Sequence, residues 1–160
     1  LFICFFISQT EFTNKPFEKQ DYGYPIEAIT FLKENSQYDN YRIFNAYSWG
    51  GFMIWTYPER KLFIDGRLPQ YQFGEHSILE EYYNFFEEGK SEAKLKQYNI
   101  QLVFLRKNLP IKFNSFEKYI LGMNEDAVND KENHMIKFLE NSNTWTKIYS
   151  DNISYIYVKK

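Results

Sequence analysis

Residues 42–67, RIFNAYSWGGFMIWTYPERKLFIDGR, carry the pattern that decides the fold. Residues 42–46 read as a short strand with Ile43 and Phe44 at its centre. Residues 47–55 carry aromatic side chains all round, as a buried helix does, and Pro58 stops that helix from running much further. Residues 61–65, KLFID, are a continuous apolar run that suits a central strand covered on both faces. Strand, helix and strand in so short a span predict a βαβ unit, a connection that is right-handed in nearly all cases.

The flanking sequence adds to this core. Pro25 fits the first turn of a helix, where its missing N–H costs nothing. Ile26, Ile29 and Leu32 follow at helical spacing, with Ala28 and Phe31 widening the stripe. Residues 78–88 form an amphipathic helix, and Ser91 is placed to cap another helix running through Tyr98. Residues 100–105, IQLVFL, are a third strand. Residues 110–130 are the least patterned stretch, with a short helix expected at 116–121. Residues 133–140 read as a helix with Met135, Ile136 and Leu139 inward. Residues 144–150 and 153–158 are strands around Asp151-Asn152, a turn-prone pair suited to a hairpin. The expected class is α/β: a mixed sheet with a βαβ core, flanking helices and a C-terminal antiparallel hairpin.

Composition narrows the function classes. At 160 residues, with 44% hydrophobic and 25% charged content, the chain has enough apolar material for one real core. Net charge is −2 and the basic residues are scattered among acids, so nucleic acid is not an expected partner. The aromatic share is 21%, which either serves a sugar- or lipid-facing surface or reflects the Lys-, Asn- and Ile-rich usage of a low-GC genome. Cys4 is the sole cysteine, which excludes an intrachain disulfide and a thiolate metal site.

Residues 1–7, LFICFFI, are unbroken apolar sequence before Ser8, Gln9, Thr10 and Glu11 turn polar. A membrane-spanning helix needs about 20 apolar residues, so the run reads as the last turns of a truncated span, as a signal-peptide remnant or as a core strand. The first reading gives the organisation 1–8 end of a truncated transmembrane helix, 9–24 linker, and 25–160 single soluble α/β domain.

Three features carry candidate chemistry. Gly50-Gly51 at a helix start either lets backbone N–H groups approach an anion or allows close helix–sheet packing; the spacing of a nucleotide-phosphate motif is absent. Asp65-Gly66-Arg67 follows a strand, and in open α/β sheets the carboxyl ends of strands line the ligand crevice. Asp65 can accept hydrogen bonds from a sugar or peptide or help hold a divalent cation, and Arg67 can pair with a phosphate or with Asp65 itself. The alternative is a structural turn with Asp65 capping backbone amides. Trp49, Trp55, Tyr47 and Tyr57 form either a stacking platform for a glycan or part of the core. His76 and His134 have no partner at metal-ligand spacing, Glu80-Glu81 and Glu87-Glu88 read as solvated helix faces, and Glu125, Asp126, Asp130 and Glu132 lack the glycine placement of a calcium loop. No self-contained catalytic constellation is present.

Pro25…Ala28-Ile29-x-Phe31-Leu32-Lys33, then Arg42-x-Phe44-Asn45-x-Tyr47-x-Trp49-Gly50-Gly51-Phe52-x-Ile54-Trp55, then Pro58…Lys61-x-Phe63-Ile64-Asp65-Gly66-Arg67…Tyr71 resemble a known tail. The chain looks like the C-terminal soluble domain of polytopic bacterial and archaeal proteins related to GT-C-type glycosyltransferases. Trp145…Tyr149-x-Asp151…Tyr155-x-Tyr157 matches the way such tails end. The resemblance implies a multi-span N-terminal part that uses a lipid-linked sugar donor, with this domain outside the cell membrane and the catalytic acid in an outer loop that these residues do not include. Partners implied are the chain's own transmembrane region, a lipid-linked sugar and an acceptor. The one cofactor admitted is a divalent cation in the full-length protein. A looser likeness to the WWDYG segment of oligosaccharyltransferases stops at Ser48-Trp49-Gly50-Gly51-Phe52, where no Asp stands at the corresponding place. The residues expected to bind substrate are Asp65, Arg67, Trp49, Tyr47, Gly50 and Gly51.

Overall fold

The computed structural model describes residues 23–67, 71–107 and 133–160 of the chain. Pro25 leads into α1 (Ile26–Glu34), whose buried Ala28, Ile29 and Leu32 recur at helical spacing. Strand β1 (Ile43–Asn45) is buried throughout, and a 3₁₀ turn over Tyr47–Trp49 feeds α2 (Gly50–Thr56). A two-residue antiparallel hairpin, β2 (Gln72–Phe73) and β3 (His76–Ser77), precedes α3 (Ile78–Asn84). Helix α4 (Ser91–Gln97), strand β4 (Leu102–Arg106), helix α5 (His134–Asn141) and strands β5 (Trp145–Ser150) and β6 (Ser154–Lys159) complete the order.

The main sheet has the order β1-β4-β6-β5. Strand β1 runs parallel to β4 with Phe44 opposite Val103, while β6 pairs antiparallel with both β4 and β5. Side chains alternate along β4, so Leu102 and Phe104 pack with Trp49, Met53 and Leu32 under α1 and α2. Val103 and Leu105 pack with Phe44, Phe85, Leu95 and Met135 under α3, α4 and α5. Helices therefore cover both faces, which is why β4 reads as an unbroken apolar run. The mixed sheet, the flanking helices and the C-terminal hairpin agree with the sequence reading. At the hairpin turn Asp151 Oδ1 accepts from the backbone N–H groups of Ile153 (2.8 Å) and Ser154 (2.7 Å).

Four local expectations are corrected. The second strand of the βαβ core is β4, reached through α2, α3 and α4; residues 61–65 are not part of a sheet ladder. Their apolar side chains serve burial beside β1, and a side chain rather than a strand satisfies their backbone. Residues 47–55 are a 3₁₀ turn followed by α2 rather than one helix. Ser91 lies inside α4 and donates its hydroxyl to the Phe85 carbonyl (2.7 Å), so it ties the helix to the preceding turn instead of capping it. Of Glu80-Glu81 only the first is solvated: Glu80 is exposed and closes a reciprocal capping box with Ser77 at the start of α3, whereas Glu81 is buried. The helix expected at 116–121, the acidic residues at 125–132 and the apolar run at 1–7 lie outside the described residues. Among those described, no helix is long and apolar enough to cross a membrane.

The capping box gives the first expected result. Ser77→Ala removes the acceptor of the Glu80 N–H (3.1 Å), and the domain is expected to lose about 1 kcal/mol, read as a lower urea midpoint at unchanged denaturant slope.

Candidate functional site

Asn45 ends β1 with its side chain fully buried. Its Nδ2 donates to the carbonyls of Ile64 (2.8 Å) and Ala46 (3.2 Å), and its Oδ1 accepts from the N–H groups of Phe63 (2.9 Å) and Ile64 (3.4 Å). One amide thus does for residues 63–64 what a neighbouring strand would do. The same segment passes directly over the start of α2. A Cβ on Gly50 would lie 2.6 Å from the Asp65 Cα and 2.8 Å from the Ile64 carbonyl oxygen, so only glycine fits there. At Gly51 a Cβ would meet nothing within 4 Å among the described residues. The glycine pair is therefore half a packing device, with Gly50 as the half that packs.

This clamp delivers Asp65-Gly66-Arg67 to the surface. Asp65 Oδ1 accepts from the Arg67 backbone N–H (2.9 Å) and from its Nε (3.0 Å), while Oδ2 accepts from Nη2 (2.8 Å). The result is a bidentate carboxylate–guanidinium fork within a single turn. The Arg67 side chain is 74% exposed and that of Asp65 17%. Hydrogen bonds from Arg67 hold the Asp65 carboxyl below its ordinary value of 3.8, against the opposing effect of burial. The fork borders a pocket of about 480 Å³ lined by Leu62, Phe63, Ile64, Asp65, Arg67, Tyr71 and Ile78. A second hollow of about 680 Å³ shares Leu62, Phe63 and Ile78 and carries charges of both signs, among them Asp39, Glu59, Arg42 and Lys61.

The other expected residues are distributed as follows. Trp49 is 1% exposed, and its indole N–H is engaged by the Gly23 carbonyl (2.9 Å). Tyr57 is buried and donates its hydroxyl to Asp39 (2.8 Å). Tyr47 packs toward the opposite face of the sheet, near Tyr82. Trp55 alone of the four rings is largely exposed. The structure brings Asp65, Arg67 and Gly50 together and does not gather the four rings onto one face. Among the described residues no cluster of His, Cys, Asp and Glu could hold a metal ion.

Sequence reasoning misread one buried charge, Glu81, and passed over another, Arg60. Glu81 accepts from Lys94 (2.7 Å), Tyr98 (2.8 Å) and Asn84 (3.1 Å). Burial pushes its carboxyl up, but the three hydrogen bonds together outweigh burial and leave it below 4.5. Arg60 is buried and donates to the carbonyls of Tyr38 (2.6 Å), Asp39 (2.6 Å) and Tyr41 (2.8 Å), closing the loop ahead of β1. Both tie elements together, and Arg60 also lines the hollow of about 680 Å³. The available signal for Glu81 was its place in the helix stripe beside Tyr82 and Phe85.

These carboxyls set the expected acid response. Asp65 and Glu81 bind protons more weakly folded than unfolded, so their contribution is complete above the ordinary values of 3.8 and 4.5 and is lost as pH falls through the depressed folded values. Melting temperature is expected to drop below about pH 4, and Glu81→Gln is expected to flatten that drop while lowering stability at neutral pH.

Sheet order, helices on both faces and the clamp at Gly50 define a three-layer α/β domain of mixed sheet. Among solved structures it is similar to the C-terminal globular domain of the oligosaccharyltransferase AfAglB-S2 from Archaeoglobus fulgidus, with a TM-score of 0.54 and 15% sequence identity, covering 84% of this chain and 96% of that one. At that identity the likeness is one of fold. No protein-family model and no curated protein matches the chain.

Proposed function

We infer that this chain is the extracytoplasmic C-terminal domain of a membrane-bound glycosyltransferase that uses a lipid-linked sugar donor, and that it positions substrate rather than carrying the catalytic acid. The observation that carries the reading is the fold shared with an oligosaccharyltransferase's C-terminal globular domain over 84% of the chain. The clamped Asp65–Arg67 fork at the mouth of an open pocket supports it, because a positioning role needs polar groups on a rigid scaffold facing solvent. In this reading residues 1–8 end a transmembrane helix and the partners are the chain's own membrane region, the lipid-linked sugar and an acceptor. Asp65 and Arg67 make the polar contacts; Trp49, Gly50 and Tyr47 build the scaffold around them, with Gly51 beside them at the start of α2.

The test is a titration of the 160-residue chain with short-chain polyprenyl-phosphate sugars, repeated with Asp65→Ala. Binding is expected to weaken about tenfold in the variant, the loss of one charge-assisted contact. Equal binding by both proteins would remove Asp65 from the site.

A second reading, a docking module in which the same residues only build the fold, is favoured by one observation: Arg67 already occupies both Asp65 oxygens. Thermal melts separate the two. A cooperative loss of structure in Asp65→Ala and Arg67→Ala alike belongs to the docking module.

A further inference from the structure

We propose that the pocket bordered by Asp65, Arg67 and Tyr71 is a saccharide subsite, in which Tyr71 supplies a stacking face and the Asp65–Arg67 fork binds neighbouring hydroxyls; the identity of its natural occupant rests on the glycosyltransferase reading above. Tyr71 is 61% exposed, and its ring makes no aromatic contact among the described residues. Its backbone is nevertheless fixed, because the Ile78 N–H donates to the Tyr71 carbonyl (3.0 Å) where α3 begins. An apolar plane presented to water from an anchored backbone, beside a charged fork, suits a sugar ring. Such a ring has one C–H face that packs on an aromatic and a rim of hydroxyls that needs donors and acceptors.

The fork supplies both kinds of group within one turn. Asp65 is ionised at neutral pH and keeps lone pairs beyond those taken by Arg67, while Arg67 Nη1 makes no hydrogen bond among the described residues. A hydroxyl that donates to the carboxylate leaves its oxygen free to accept from the guanidinium. The side chains of Leu62, Phe63, Ile64 and Ile78 complete an apolar floor, and the volume of about 480 Å³ lies in the range of small-molecule sites. The adjoining hollow shares Leu62, Phe63 and Ile78, so a second ring can continue past residue 63.

Charge decides against an anion as the direct ligand of the fork. Arg67 is already neutralised by a bidentate carboxylate, and a phosphate placed on it would face the Asp65 charge at short range. Uncharged polyhydroxyl ligands carry no such cost. The exposed Tyr83 has no comparable fork; it sits edge-on to Tyr82 on α3 and serves as a control surface.

The proposal is tested by amide chemical-shift mapping of the 160-residue chain with methyl α-mannoside, N,N′-diacetylchitobiose and inorganic phosphate as probes. Saturable shifts are expected at Asp65, Gly66, Arg67, Tyr71 and Ile78 with at least one of the two saccharides, at dissociation constants on the order of millimolar, and none with phosphate. Saccharide C–H signals are expected to move upfield on binding, a ring-current effect that a merely structural tyrosine would not produce. Tyr71→Phe is expected to keep that shift, Tyr71→Ala to lose it with about tenfold weaker binding, and Tyr83→Ala to behave as the wild type. The proposal is overturned if neither saccharide shifts these amides, if Tyr71→Ala binds as the parent does, or if phosphate competes at the same residues. The two readings fail separately. Saccharide binding at Tyr71 in a full-length protein that transfers no sugar sinks the glycosyltransferase reading and upholds the subsite. Sugar transfer by the full-length protein, with no saccharide shift at Tyr71, does the reverse.

Discussion

Gly50→Ala is expected to lower stability by about 3 kcal/mol, while Gly51→Ala, one residue along the same helix, is expected to lose nothing. The added methyl at position 50 would sit 2.6 Å from the Asp65 Cα and 2.8 Å from the Ile64 carbonyl oxygen. Both are backbone atoms, so no rotamer change relieves the contact, and either α2 or the 64–65 segment must move. Overpacking of this kind costs roughly 1–3 kcal/mol and occasionally more. The gain from replacing a helical glycine, about 0.5–1 kcal/mol, offsets little of it. At position 51 the same gain meets no contact among the described residues. Urea unfolding of the two variants side by side reads the difference, and shifted Asp65 and Arg67 amides in Gly50→Ala would show which side yielded.

Asn45→Ala is expected to be at least as damaging. It strips partners from the Ile64 carbonyl, the Phe63 N–H and the Ile64 N–H, in a segment whose Ile64 side chain is buried against the core. Each buried polar group left unsatisfied costs about 1–3 kcal/mol, so the total is on the order of 3 kcal/mol or more even after partial rehydration. Asn45→Asp sharpens the test. A carboxylate accepts but cannot donate to Ile64, and it would be charged in a fully buried place. Burial raises such a carboxyl in the folded state above its unfolded value, so the penalty grows as pH rises past about 4. Relative to the wild type at the same pH, Asn45→Asp should therefore be least destabilised in acid. A variant equally stable at neutral pH would mean that residues 61–65 hold themselves in place without Asn45.

The same clamp explains where sequence reading succeeded and where it stopped. Strands β1 and β4 were legible as short apolar runs because they are buried on both faces, helix α5 because its inward residues recur at helical spacing, and the C-terminal hairpin because Asp151-Asn152 marks its turn. Residues 61–65 satisfied the pattern of a central strand equally well. An apolar run records burial, not the identity of the hydrogen-bonding partner, and here the partner is a side chain eighteen residues earlier. The signal was an asparagine closing a strand that is otherwise apolar. The Ser77–Glu80 capping box ahead of α3 went unread, with Glu80 taken only as a solvated residue, while Ser91 carried the right residue type one position too far into its helix. At the site, Asp65-Gly66-Arg67 was legible as a turn after an apolar run. The sequence left Arg67 to pair with a phosphate or with Asp65; that it closes on Asp65, and that Tyr71 stands exposed at the same pocket, depends on the loop's path and not on its composition.

The central claim is that the Asp65–Arg67 fork faces a ligand from a scaffold that stands without it. Arg67→Ala measured for both melting and binding of a short-chain polyprenyl-phosphate sugar tests this most directly, because the arginine side chain is mostly in solvent and an exposed ion pair contributes little to folding. The account predicts a variant that melts with the wild type and binds about tenfold more weakly. A variant that melts early yet binds the sugar as the parent does would contradict it.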